Sequence, residues 1–284
     1  MRLTFIGLIM ATLLLALTAS AQLEPLVQTL EHGDAEQRRS ALASIRNLRS
    51  ESASRIAIPS LRDSNVLVRA TAASSVIFLP PSEAASVLIP MLGDRDEFVR
   101  REAAFALGEV GDASAVAPLL ALLGREKAIE VRSAAVIGLG GTGDASTIGP
   151  LLSVLAKKPV EDDEFLRRSA ARAIGRIAQF VRTGTRDVVT PQNFLPDRFK
   201  DLKTPVTFSS TQNSVFQPAI AQLLKVLNSL KESEDTRREA AFALGAIGDA
   251  SALPDLRSKI RAADIYMSEI AKEAVLKIEA ASRQ

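Results

Sequence analysis

The sequence has no cysteine, no tryptophan, a single tyrosine and a single histidine. Without cysteine there is no disulfide, so stability must come from packing alone. One histidine, His32, and no cysteine cannot assemble a zinc site from the usual ligands. Ser-His-Asp chemistry would depend on His32, and no nucleophile motif lies near it. Charge of one sign is also lacking. The chain carries 35 Lys and Arg against 33 Asp and Glu, a formal +2. Such near-balance argues against a general electrostatic footprint for nucleic acid. Beyond the N-terminus, no apolar run is long enough to span a membrane.

What the chain does have is repetition. Residues 99–112 read VRREAAFALGEVGD and residues 236–249 read TRREAAFALGAIGD, with eleven of fourteen positions identical. A third copy, VRSAAVIGLGGTGD, occupies 131–144. Self-similarity at a period of this size is the signature of a repeat array. Aligned on the copies, one column holds Arg38, Arg69, Arg100, Arg132, Arg167 and Arg237, with Ala271 in the last unit. The steps are 31, 31, 32, 35, 70 and 34 residues, and the step of 70 marks an insertion. Three residues on, the column is pure alanine, from Ala41 to Ala274. Four further on it is Ile, Val or Leu, from Ile45 to Ile278.

At 100° per residue, Ala103, Ala104, Leu107 and Val110 form one apolar arc of an α-helix. Arg100 falls inside that arc, where a charge must be paired or hydrogen-bonded. Arg101, Phe105 and Glu109 fall on the opposite side. Shorter apolar segments such as Ala115–Leu123, Ile148–Leu155 and Ile220–Leu227 precede these helices. The joints Gly111-Asp112, Gly143-Asp144 and Gly248-Asp249 combine a left-handed helix end with an N-cap for the next helix. Pro90, Pro118, Pro150, Pro218 and Pro254 lie in or near the first helix of their units. Proline is tolerated in a helix's first turn and kinks the helix deeper in. The expected unit is a helical hairpin of 31–35 residues. The glycine-rich run Gly138–Gly143 sits at a helix end and follows no strand, so it does not read as a nucleotide loop.

These units resemble HEAT repeats, of the short type called PBS-lyase HEAT-like repeats. The pattern is carried by Asp96, Val99-Arg100, Ala103-Ala104, Leu107-Gly108 and Gly111-Asp112, and it covers roughly residues 23–179 and 217–280. The resemblance implies an all-α fold: a right-handed α-solenoid of about seven HEAT-like helical hairpins with one long insertion loop. In the family the arginine column bonds to acidic residues of a neighbouring unit. The resemblance therefore implies a structural ladder of Arg69, Arg100, Arg132, Arg167 and Arg237. No catalytic residue, metal ligand or cofactor site carries over from the family's enzymes. Deoxyhypusine hydroxylase, for one, holds its metals through His-Glu pairs that this chain lacks.

The N-terminus reads as a secretory signal peptide. Arg2 gives the positive start, Leu3 to Leu17 is almost wholly apolar, and Ala19-Ser20-Ala21 is an A-x-A cleavage site. The alternative is an uncleaved N-terminal helix that anchors the chain. The expected organisation is a signal peptide at 1–21 and HEAT-like repeats 1–5 at 22–179. An insertion loop at 180–217 follows, then repeats 6–7 with a C-terminal cap at 218–284. The insertion contains Phe180, Phe194, Phe199, Phe208 and Phe216, five of the eleven phenylalanines. Aromatics are unusual in a disordered linker, so it is expected to pack on its own array or on a partner.

Arg168, Arg172 and Arg176 stand one turn apart on the outward side of the helix before the insertion. They form a solvated face, a site for an anionic partner, or bonds to the insertion's Asp187, Asp197 and Asp201. Phe105, Ile137, Phe242 and Leu276 share an outward column, as binding anchors or as residues covered by neighbouring helices. The functional expectation is an exported, non-catalytic scaffold that binds another protein, one with an acidic segment. The residues expected to carry it are Arg101, Phe105, Arg168, Arg172, Arg176, Arg238 and Phe242. The competing expectation is an enzyme or lyase-like accessory using the cleft beside the insertion. No nucleic acid, and no membrane span after signal cleavage, is expected.

Overall fold

The computed structural model of the chain describes residues 23–185 and 214–281. The signal segment and residues 186–213 of the expected insertion lie outside the described residues. Among the described residues there are helices, 3-10 turns and loops, and no strand. Fourteen α-helices follow one another there as seven pairs. The chain divides into two compact units, one ending at Ala106 and the other beginning at Leu107.

The first unit contains α1 (23–32), α2 (Ala35–Leu48), α3 (Glu51–Ala57), α4 (Val66–Ser75), α5 (Pro81–Leu88) and the larger part of α6 (Glu97–Val110). Helix α2 starts at a capping box. The Asp34 carboxylate accepts from the Gln37 N–H at 2.9 Å, and the Gln37 side chain accepts from the Asp34 N–H at 2.8 Å. Each arrangement satisfies an N–H that has no partner within the helix. Asn65 caps α4 in the simpler way, accepting from Leu67 and Val68. Helices α3 and α5 are short because the chain tightens into 3-10 turns at Ile58–Arg62 and Ile89–Gly93, each with a proline in its first two positions. Proline removes the donor that would have continued the α-helix. Leu42, Ile45 and Leu88 are fully buried in this unit's core. Two buried serines are satisfied in it. Ser54 Oγ donates to the Ser75 carbonyl at 2.7 Å, and Ser75 Oγ to the Leu42 carbonyl at 2.9 Å.

The second unit contains α7 (Val116–Arg125), α8 (Ile129–Thr142), α9 (Ile148–Leu155), α10 (Glu164–Thr183), α11 (Gln217–Asn228), α12 (Glu234–Ile247), α13 (Leu253–Lys259) and α14 (Ile265–Ala281). The pairs α7–α8, α9–α10, α11–α12 and α13–α14 are hairpins, and the longer second helices pack in series as α8, α10, α12 and α14. The joints form as the sequence expects. Gly111, Gly143 and Gly248 have φ of 70°, 73° and 80°. Asp112, Asp144 and Asp249 each accept from the N–H two residues on. Pro118, Pro150, Pro218 and Pro254 all fall in the first turn of their helices.

The repeat columns land in the core. Ala135, Ala170, Ala240 and Ala274 are at most 2% exposed, as are Leu139, Ile174, Leu244 and Ile278. Each such large side chain contributes about 1.5–3 kcal/mol through burial.

The edges of the insertion differ from the sequence expectation in detail. Phe180–Thr183 are the last turn of α10, which ends on Gly184 at φ 70°. The Phe180 ring lies against Gly143, and Phe216 is 2% exposed. These two phenylalanines pack on the second unit; Phe194, Phe199 and Phe208 lie outside the described residues. Arg182, expected in the loop, is instead in α10's last turn. Its Nη1 donates to the carbonyls of Gly245, at 3.2 Å, and Ala246. The carbonyls at a helix C-terminus lack intrahelical donors and carry partial negative charge, so they can hold a guanidinium there. Burial lowers its pKa to about 10.

Glycine at the close helix contacts is a steric requirement. A Cβ on Gly245 would stand 2.6 Å from the Ala274 Cβ and 2.7 Å from its Cα. Gly245→Leu is expected to force α12 and α14 apart and destabilise by about 1–3 kcal/mol. Gly124, exposed in α7 with nothing within 4 Å of its added Cβ, is the control. Gly124→Ala should leave stability unchanged or raise it by up to about 1 kcal/mol. Denaturant melts followed by circular dichroism measure both.

Candidate functional site: a groove across helices α8, α10 and α12

Helix α10 is amphipathic along its whole length. Ala170, Ile174 and Ile177 are buried on one side. At 100° per residue they point away from Arg168, Arg172 and Arg176, which occupy a narrow outward strip. This strip lines a groove of about 290 Å³. Ile137 of α8 and Phe165 and Ala173 of α10 make its apolar wall, and Glu239 of α12 stands among the arginines. The four charged lining residues, three positive and one negative, sum to +2.

The arginines are held by carboxylates of the next helix. Arg168 Nη1 bonds Asp235 Oδ2 at 2.7 Å, and Arg172 Nη1 bonds Glu239 Oε1 at 2.8 Å. Asp235 also takes Arg238 Nη1 at 2.7 Å, and Arg238 Nε reaches Asp264 Oδ2 at 2.8 Å. The charges therefore form a chain from α10 through α12 to the start of α14. Aromatic faces hold the same guanidinium groups: Arg168 lies 5.1 Å from the Phe165 centroid and Arg238 5.1 Å from that of Tyr266. Phe242 is approached at 6.0 Å by both Arg172 and Lys277. Such contacts orient a planar cation as well as attracting it. Burial pushes the Glu239 carboxyl up, against the pull of Arg172. Asp264 is held below the usual carboxylate range by its bond from Arg238.

Five of the residues expected to bind a partner, Arg168, Arg172, Arg176, Arg238 and Phe242, thus come together in the second unit. Arg101 and Phe105 belong to the first unit. There Arg101 bonds Glu102 at 3.0 Å and lies 4.6 Å over the Phe98 ring, and Phe105 is half-buried. The bonds expected from the arginine strip to the insertion's Asp187, Asp197 and Asp201 involve residues outside the described ones.

Asp235 and Glu239 escaped the sequence reading, although a signal exists. Both lie 67 residues after their arginines. Neighbouring parallel helices are offset by a constant number of positions, so aligned columns bring Arg168 and Arg172 onto that pair together.

The ladder column sits deeper. Arg69 grips Asp94 with two bonds, at 2.8 and 3.0 Å, and donates to the Asp63 and Ser64 carbonyls. Burial pushes the Asp94 carboxyl up, but Arg69, the Asp96 N–H and the nearby Arg95 together bring the net direction down. Arg167 and Glu232, 3% and 4% exposed, make a two-bond pair, and Arg167 also donates to the carbonyls of Val154, Leu155 and Lys157. Arg100 donates to the Asp94 and Arg95 carbonyls. Arg132 is half-buried on α8. At the last junction Asp264 is bonded by Arg238, while Arg237 Nε is buried without a hydrogen-bond partner. Asp264 lies 26 residues after Arg238, close to the 25 that separate Arg69 from Asp94, and the neighbouring guanidinium makes the bond.

His32 is exposed at the end of α1, 3.7 Å from Glu31. Among the described residues no group of three His, Cys, Asp or Glu side chains is placed to hold a metal ion. No described helix is long and apolar enough to cross a membrane.

Comparison with known proteins adds the following. The model of HEAT repeats matches residues 23–102, 57–136 and 85–175, and that of the PBS lyase HEAT-like repeat matches 236–260. No curated protein matches the chain. Among solved structures it is similar to the complex of CpcE and CpcF of phycocyanin lyase from Nostoc sp. PCC7120, at 21% identity and TM-score 0.51, over 90% of this chain and 93% of that one. It is also similar to a designed armadillo repeat protein in complex with the peptide (KR)4, at 20% identity and TM-score 0.51, over 90% of this chain and 99% of that one. An engineered protein matches at 20% identity and TM-score 0.52, over 93% and 70%. At these identities the likeness is one of fold.

The two classes of arginine should separate in stability. Arg167→Met strands the buried Glu232 and is expected to destabilise by about 3–5 kcal/mol, whereas the half-exposed Arg168→Ala should change stability by about 0–1 kcal/mol. Urea melts of both variants check this. Acid should act through Asp264 with a defined sign. Its folded pKa lies below the ordinary 3.8, so its contribution is present above 3.8 and is lost as pH falls through the lowered value. Asp264→Asn should make the loss of stability shallower between pH 3.8 and that lowered value in acid titrations.

Proposed function

We propose, since this chain belongs to the HEAT-repeat family, that it is an exported, non-catalytic scaffold that binds another protein, with an acidic segment of that partner lying in the α8–α10–α12 groove. The observation that carries this is the row Arg168, Arg172 and Arg176 along an apolar wall, with a lining charge of +2. A volume of about 290 Å³ falls just under the range of about 300–1,000 Å³ that small-molecule and cofactor sites occupy. It suits one or two side chains of a longer ligand. Guanidinium forks favour carboxylates geometrically as well as by charge. Phe165, 44% exposed, and Ile137 supply the apolar contact that gives such a segment an anchor. The designed armadillo protein named above holds a basic peptide. A groove lined by a net positive charge favours an acidic ligand. Export rests on the N-terminal apolar segment and its A-x-A site. The lyase-like alternative has no more behind it than a likeness of fold.

The test is a fluorescence anisotropy titration with a labelled peptide of alternating aspartate and leucine. The wild-type chain should bind it and should ignore the alternating lysine–leucine peptide. Binding should weaken as salt rises, because exposed charges are screened over about 8–10 Å. The triple variant Arg168→Gln, Arg172→Gln, Arg176→Gln should lose binding while keeping its helicity. Equal affinity in the folded triple variant would place the partner site elsewhere.

A further inference from the structure

The groove contains its own carboxylate. Glu239 lies on α12 with its side chain 18% exposed, and it holds Arg172, which is 39% exposed. A carboxylate entering from solvent therefore meets a guanidinium that is reachable but already engaged. It also meets the like charge of Glu239 beside it.

Resting on the reading of the groove above, we propose that Glu239 is a resident competitor that holds Arg172 until the carboxylate of an acidic partner segment takes its place. Binding is thereby linked to the protonation of Glu239.

The surroundings make Glu239 the group that yields. From α10 it faces Arg172 and Arg168, with Arg176 lining the same groove, and on its own helix Asp235 stands one turn before it. On α14 Lys272 is paired with Glu269 and Lys277 with Glu273, and Glu279 is paired with Arg257 of α13. Lys225, the charged residue of α11, is exposed. Arg172 is thus the cation bonded to Glu239, and losing it leaves a carboxylate in a poorly solvated place. Burial already favours its protonated form, with Arg172 opposing. A partner that takes Arg172 removes that opposition, so Glu239 takes up a proton as the partner binds. By reciprocity, a proton on Glu239 tightens partner binding by the same factor. Either route removes one negative charge from the lining, raising it from +2 to +3. Asp235 behaves differently. It is 44% exposed and shared by Arg168 and Arg238, so it keeps a cation when one of them is taken.

The sign follows from the direction of the shift. The ordinary glutamate value is 4.5 and that of Glu239 lies above it. As pH falls, Glu239 protonates before the unperturbed carboxylates do. There is a window in which Glu239 has released Arg172 and an ordinary acidic partner is still ionised.

The experiment uses the full chain and a fluorescein-labelled peptide of alternating cysteic acid and leucine, whose sulfonates stay ionised throughout. Wild-type affinity should rise as pH is lowered from neutrality to the ordinary glutamate value of 4.5, above which Glu239 takes up its proton. Glu239→Gln, which keeps the shape of the side chain, should bind about tenfold more tightly at the higher pH, equivalent to 1.4 kcal/mol, and should lose most of the pH dependence. In Arg172→Gln the further change Glu239→Gln should give no such gain, because nothing is left to contest. An E239Q variant with wild-type affinity and wild-type pH dependence overturns the competitor role while leaving the groove reading intact. If neither wild type nor E239Q binds the peptide, the groove reading falls and this proposal falls with it. Should E239Q lose its helicity, the wild-type profile decides, and a flat affinity across that pH range overturns the proposal.

Discussion

The second helices of the C-terminal unit can lie against one another only because small residues stand where their backbones meet. Gly140 of α8 meets Ala173 of α10, Gly175 of α10 meets Ala243 of α12, and Gly245 of α12 meets Ala274 of α14. At each of these places even a methyl group would come within about 3 Å of the neighbour. The contact is repeated once per hairpin, so the same stagger is repeated too. Close packing of this kind transmits a fixed geometry from one helix to the next. The apolar columns beneath it, Ala135 to Ile278, are buried as a consequence.

That stagger decides what the charged residues do. With helices this close, side chains on adjacent outward faces are within bonding distance. Arg168 and Arg172 find Asp235 and Glu239, and Arg238 finds both Asp235 and Asp264. A strip that reads as bare positive charge along α10 becomes, between α10 and α12, a row of half-exposed ion pairs backed by aromatic rings. Such pairs add little to stability, because each group was well solvated before folding. They are correspondingly easy to exchange for another carboxylate. The buried pair Arg167–Glu232 is of the opposite kind: both partners are out of water, and neither can leave without stranding the other. Position along one helix turn separates a structural arginine from an exchangeable one, although Arg167 and Arg168 are adjacent in the chain.

The sequence alone determined the helical hairpin, its length, its joints and its core. These follow from local rules: the 3.6-residue period, glycine at a left-handed helix end, aspartate at the next helix start, proline in first turns. They need no knowledge of what lies across the chain, and they hold at Gly143-Asp144 and Gly248-Asp249 as they do at Ala240 and Leu244. Tertiary structure decided how the charges pair. Arg168 and Asp235 are 67 residues apart, with the insertion between them, and no local pattern links them. It also drew Arg182 out of the expected loop and onto the carbonyls at the end of α12, and it gave the carboxylate of the last junction to Arg238 rather than Arg237. The reason is one of range. Backbone conformation and burial pattern are set by neighbours within a few residues, whereas an ion pair is set by a distance of about 3 Å between side chains, and only the packed stagger of the helices fixes that distance.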